Sequence, residues 1–196
     1  MGAKIGILAL QGDVSEHLDA FANAIRTFGS ESSIHAVPVR RPEEITGLDA
    51  LAIPGGESTT ISRLIDKNRL YKPLVEFEGG IFATCAGMVL MANKVDDPRV
   101  HTLGLMDFSV RRNAFGRQRE SFEADVEITG LDRPFHAFFI RAPVADRAGP
   151  DVCITARIDE GIVALEQGRH MALSFHPELG SDPRLHIRFL KNCGLV

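Results

Sequence analysis

Gly79-Gly80-Ile81-Phe82-Ala83-Thr84-Cys85-Ala86-Gly87-Met88 reads as a short apolar strand that stops at a cysteine and resumes in small, helix-compatible residues. A strand-to-helix turn of this kind holds one thiol exposed at the carboxyl edge of a sheet. Gly80 and Gly87 bracket the turn, and a helix beginning at Ala86 would set its positive amino end against the sulfur and favour thiolate.

Working outward, Lys4 to Leu10 is a near-continuous apolar run, as a central parallel strand covered on both faces requires. Asp13 and Glu16 form a capping-box pattern for a helix whose stripe is Val14, Leu18, Phe21, Ala22, Ile25 and Phe28, ended by Gly29. Strands are expected at Ser33 to Val39, Ala50 to Ile53 and Ile81 to Thr84, with helices at Thr59 to Lys67, Leu70 to Phe77 and from Ala86. This alternation predicts an α/β fold with a doubly wound, mostly parallel sheet. Between Leu103 and Leu173 the pattern changes to short runs, Phe122 to Ile128, Phe135 to Ile140, Val152 to Arg157, Ile162 to Glu166 and Met171 to Phe175, which read as antiparallel additions to that sheet. A helix over Pro183 to Cys193, with Leu185, Phe189 and Leu190 inward, closes a single domain over 1–196.

Cys85 needs a base, because a free thiol has a pKa of roughly 8.5. Ser174-Phe175-His176-Pro177-Glu178 supplies one: Pro177 excludes a helix, and residues two apart on an extended segment share a face, so His176 and Glu178 can reach one site. Cys85, His176 and Glu178 are thus a candidate catalytic triad. Pro54-Gly55-Gly56-Glu57-Ser58 follows a strand directly. It is a turn with Ser58 as helix cap, or a place where a glycine N–H is aimed into a pocket; in the second reading Gly56 and Ala86 donate to an oxyanion. An arginine and a carboxylate such as Glu57 would meet an amino-acid substrate's charged groups. Cys153 and Cys193 read as packing residues, and His17, His35, His101, His136, His170 and His186 as surface or locally bonded histidines without metal spacing, so no metal is expected.

The balance of 22 basic and 26 acidic residues, with no basic run, argues against nucleic-acid binding and for small-molecule chemistry. Three widely spaced cysteines suit a reducing compartment, and the apolar stretch Ile5 to Leu10 is too short for a signal peptide or membrane span. A cytoplasmic location without membrane association is expected.

Pro-Gly-Gly-Glu-Ser, Thr-Cys-Ala-Gly and Ser-Phe-His-Pro-Glu together resemble the class I, triad-type glutamine amidotransferases. Leu10-Gln11-Gly12-Asp13-Val14-Ser15-Glu16-His17, Arg112-Asn113-Ala114-Phe115-Gly116-Arg117-Gln118, Ser121-Phe122-Glu123-Ala124 and Phe139-Ile140-Arg141-Ala142-Pro143 narrow the resemblance to the glutaminase subunits of pyridoxal phosphate synthase. It covers nearly the whole chain. It implies a flavodoxin-like amidotransferase fold and hydrolysis of L-glutamine to glutamate and ammonia, with ammonia passed to a (β/α)8-barrel synthase subunit that makes pyridoxal phosphate. The resemblance implies no cofactor bound to this chain. By carry-over, Gly55, Gly56, Glu57, Arg112, Ile140 and Arg141 line the glutamine site, and Gln11 and His17 lie near the subunit interface. Ala83 stands where the family usually has glycine. Another amidotransferase's glutaminase, a free-standing cysteine hydrolase and a catalytically silent binding subunit are the alternatives.

Overall fold

The computed structural model describes residues 2–29, 33–112, 114–115 and 121–196. Its strands are β1 (Ala3–Leu8), β2 (Ile34–Val39), β3 (Ala50–Ile53), β4 (Gly80–Thr84), β5 (Ala92–Val95), β6 (Met106–Arg111), β7 (Ser121–Val126), β8 (Phe135–Ile140), β9 (Val144–Ala148), β10 (Cys153–Ile158), β11 (Gly161–Gln167) and β12 (His170–Leu173). Its helices are α1 (Val14–Phe28), α2 (Ser58–Lys67), α3 (Tyr71–Val75), α4 (Ala86–Met91) and α5 (Arg184–Asn192).

The main sheet runs β2-β1-β3-β4-β12-β11-β9-β6-β5, with β10 on β11. From β2 to β12 every pairing is parallel, and β11, β9, β6 and β10 join through antiparallel pairs. Strand residues alternate between two cores, as period-two geometry demands. Leu51, Ile53, Ile81 and Ala83 face one core with Ile61, Ile65, Leu74 and Met88 of the helices α2, α3 and α4; Ile5, Ile7, Ala52 and Phe82 face the other with Phe21, Ile25, Leu185 and Phe189 of α1 and α5. The sheet is therefore wound on both faces. Ala83 is fully buried, so its β-carbon is absorbed by core packing.

Several expectations are corrected. β7 and β8 pair only with each other among the described strands, as a separate two-stranded sheet. β5, β6 and β9 were not foreseen, because their sequences mix charge with short apolar stretches and are strands only through pairing. β12 ends at Leu173, and beyond it Ser174 Oγ donates to Pro143 O while the His176 N–H donates to Phe138 O at 2.9 Å. The inward face of α1 is His17, Phe21, Ala24 and Ile25, whereas Ala22 and Phe28 are exposed, Phe28 lying under the Lys191 ammonium at 5.5 Å.

Candidate active site

The carboxyl ends of the parallel strands converge on a cavity of about 250 Å³ lined by Gln11, Asp13, Gly56, Glu57, Cys85, Ala86, Arg112, Ile140, Arg141 and His176, among others. This is the crevice in which doubly wound sheets bind ligands. Cys85 follows β4 with φ 47° and ψ −103°, a left-handed conformation that costs a non-glycine residue about 1–3 kcal/mol. The strain turns the chain so that α4 begins at once and the sulfur faces the cavity. Cys85 Sγ lies 3.7 Å from Ile140 O, and the Cys85 N–H is anchored to Leu173 O at 2.8 Å, tying the turn to β12.

Three residues beyond β12, His176 presents Nδ1 to Glu178 Oε1 at 2.8 Å. The Glu178 side chain is fully buried; burial opposes its charge, but His17 and His176 outweigh burial and hold the carboxyl below its ordinary range. An ionised carboxylate only accepts, so Nδ1 of His176 carries the proton and donates. Burial disfavours charge on His176 as well, yet Asp13, Cys85 and Glu178 push its pKa up to about 12. The cost of burial is thus overcome, with the Glu178 and Asp13 carboxylates both facing Nδ1.

The capping-box pattern places Asp13 at the start of α1, but its carboxylate makes no cap bond there and lies 3.3 Å from His176 Nδ1. The signal that could have found it is positional: Asp13 follows β1, the neighbour of β3, so it falls at the same sheet edge. Asp13, His176 and Glu178 offer ligating atoms within 4.8 Å of one another, a set that could also hold a cation. The proton on Nδ1 is donated to Glu178 Oε1, with Asp13 the more distant neighbour.

Gly56 lines the cavity, and Gly55 beside it packs against His176. A β-carbon at Gly55 would stand 2.4 Å from His176 Cε1, and Gly56 takes φ 150° with Gln11 Oε1 where its β-carbon would be, at 2.6 Å. Gln11 Oε1 accepts from the Glu57 N–H at 2.8 Å, so Gln11 belongs to the cavity wall. The α2 cap is Glu57, not Ser58: Glu57 Oε1 accepts from Thr59 N and Thr59 Oγ1 and also takes Arg112 Nη2 at 2.7 Å. Arg112 Nη1 additionally pairs with Asp97, a partner that nothing in the sequence singled out. Asn113 and residues 116–118 of the arginine-rich segment lie outside the described residues.

His17 is fully buried and cannot be surface at an interface; it points inward from α1 among Phe21, Phe82 and His186. His186 is buried as well, and Cys153 is exposed, against the expectation for each. Cys193 is partly buried against the core, and burial pushes its thiol up to about 11.

A doubly wound sheet that gathers a strained cysteine and a carboxylate-bound histidine at its carboxyl edge has the architecture of an amide hydrolase working through a nucleophile. The chain belongs to the SNO glutamine amidotransferase family, whose profile matches residues 7–195. It is similar to the pyridoxal 5'-phosphate synthase subunit PdxT of Methanoregula boonei, 66% identical over 98% of this chain and 100% of that one. The protein of the same name from Methanosphaerula palustris is 62% identical over 100% of both chains. A solved structure described as a glutamine amidotransferase superposes with TM-score 0.86 at 44% identity, covering 97% of this chain and 98% of the other.

Proposed function

We propose that this chain is the single-domain glutaminase subunit of a pyridoxal 5'-phosphate synthase, acting in the cytoplasm and delivering ammonia to a (β/α)8-barrel subunit. Family membership and two near-full-length relatives support the assignment. No helix among the described residues is long and apolar enough to cross a membrane. The observation that carries the chemistry is the 2.8 Å contact of His176 Nδ1 with Glu178, on a segment that brings His176 to the cavity holding Cys85.

In this reading the Cys85 thiolate attacks the side-chain amide carbon of L-glutamine, and the carbonyl oxygen becomes an oxyanion held by the Gly56 and Ala86 N–H groups. The imidazolium of His176 gives its Nε2 proton to the departing nitrogen as the C–N bond breaks, leaving a thioester and free ammonia. Water, deprotonated by the now neutral His176, attacks the thioester and releases glutamate and the thiolate. Glu178 holds Nδ1 throughout, so Nε2 faces the reacting atoms. Gly55, Glu57, Arg112, Ile140 and Arg141 bind glutamine, with Arg112 fixed by Glu57 and Asp97.

The test is glutamate release from L-glutamine by the chain alone and with a pyridoxal phosphate synthase barrel subunit, with Cys85→Ala as control. Cys85-dependent release that rises with the barrel is expected. Unchanged turnover in Cys85→Ala would sink the mechanism, and release indifferent to the barrel would sink the partner assignment.

A further inference from the structure

Behind Glu178 lies a buried polar cluster that the proposed mechanism leaves unused. His17 Nε2 is 2.9 Å from Thr84 Oγ1 and 3.4 Å from Glu178 Oε1, and the side chains of His17 and Glu178 are fully buried. Thr84 immediately precedes Cys85. His17 Nδ1, Glu178 Oε2 and both ring nitrogens of His186 have no hydrogen-bond partner among the described residues. Each such group costs roughly 1–3 kcal/mol, so a cluster of this composition is a poor way to fill a core. Aliphatic residues at 17 and 186 would have packed beside Phe21, Phe82 and Phe189 without that penalty.

We infer that His17 is a positioning residue, whose Nε2–H holds the Glu178 carboxylate and ties it to the strand end that bears the nucleophile. The tautomer follows from electrostatics. A lone pair on Nε2 would face a carboxylate oxygen at 3.4 Å, whereas an N–H there is shared between that oxygen and Thr84 Oγ1. Glu178 Oε1 thus takes His176 on one side and His17 on the other, which fixes the carboxylate from α1 as well as from its own turn. The chain of contacts His176–Glu178–His17–Thr84 returns to the residue next to Cys85. It couples base and nucleophile through buried side chains, as outer partners orient the ligands of metal sites.

This inference rests on the triad reading above, and its test separates the two. His17→Leu keeps the volume and removes the donor; His17→Gln replaces Nε2 by an amide N–H donor at about the same reach. With the barrel present, His17→Leu should lower kcat by about 10- to 100-fold with KM for glutamine within about twofold, and His17→Gln should recover most of the loss. Alkylation of the Cys85 peptide by iodoacetamide, followed by mass spectrometry, should slow in His17→Leu and recover in His17→Gln. Wild-type kcat in His17→Leu would overturn the role. So would equal loss in both variants tracking a fall in Tm, or a change confined to KM. If the wild-type protein released no glutamate, the glutaminase reading would fall while the alkylation comparison still decided on His17.

Discussion

Gly55 carries no side chain, and a β-carbon there would stand 2.4 Å from Cε1 of His176. The imidazole therefore rests directly on the backbone of the loop after β3. Gly55→Ala should displace the ring and lower glutamate release by about 100-fold or more, since a shift near 1 Å suffices for such a loss. Circular dichroism should show an intact fold. Wild-type turnover in a folded variant would refute the contact's importance.

Glu178 and Asp13 both face Nδ1 of His176, at 2.8 and 3.3 Å, but only the Glu178 side chain is fully buried. Charge is worth more where water is excluded. Glu178→Gln should lower kcat by about two to four orders of magnitude, and Asp13→Asn by less than about tenfold. The reverse order would make Asp13 the orienting carboxylate.

Arg112 bridges Glu57 and Asp97 at the mouth of the cavity. Arg112→Ala removes a substrate-facing cation and releases Glu57, so KM for glutamine should rise by about tenfold or more. The kcat value should change less. Steady-state kinetics with varied glutamine would show the split, and a pure loss of kcat would contradict a binding role.

His186 is the buried group whose proton affinity most clearly opposes acid. Burial, with a smaller contribution from His17, pushes it down to about 3 from 6.5. Between those values the unfolded chain binds a proton that the native chain does not, so this group makes stability fall as pH falls. His176 acts in the opposite sense, since its raised value adds stability below 6.5 that is lost as pH rises toward about 12. His186→Phe removes only the first contribution. Relative to the wild-type protein, the variant should gain about 1–2 kcal/mol in urea unfolding between pH 6.5 and 5. A pH-independent difference would show that His186 takes up its proton in the folded chain as it does in the unfolded one.

The parallel half of the sheet was legible because β1, β3 and β4 are short, largely apolar runs that alternate with helix patterns, as in Ala50 to Ile53 before Pro54. Cys85, His176 and Glu178 were legible because local spacing alone sets their directions. The strands β5 and β9 were not, since Ala92–Val95 and Val144–Ala148 carry charge and become strands only when neighbours pair with them. The burial of His17 was not legible for a related reason. A histidine one turn before Phe21 looks like helix surface until α1, β4 and α5 are known to meet over Phe82. Asp13 was read as a cap because capping is local, whereas its partner, His176, is distant in the chain.

β4 and β12 are adjacent and parallel, with Thr84 opposite Leu173, although more than eighty residues separate them in the chain. Cys85 and His176 reach one cavity because the segment after β12 leaves the sheet beside the end of β4. Under the proposed mechanism, the thiol gains its base only when β12 is seated beside β4. The intervening polypeptide is held to that slot as well, since Phe138 O takes the His176 N–H and Ile140 O lies 3.7 Å from Cys85 Sγ.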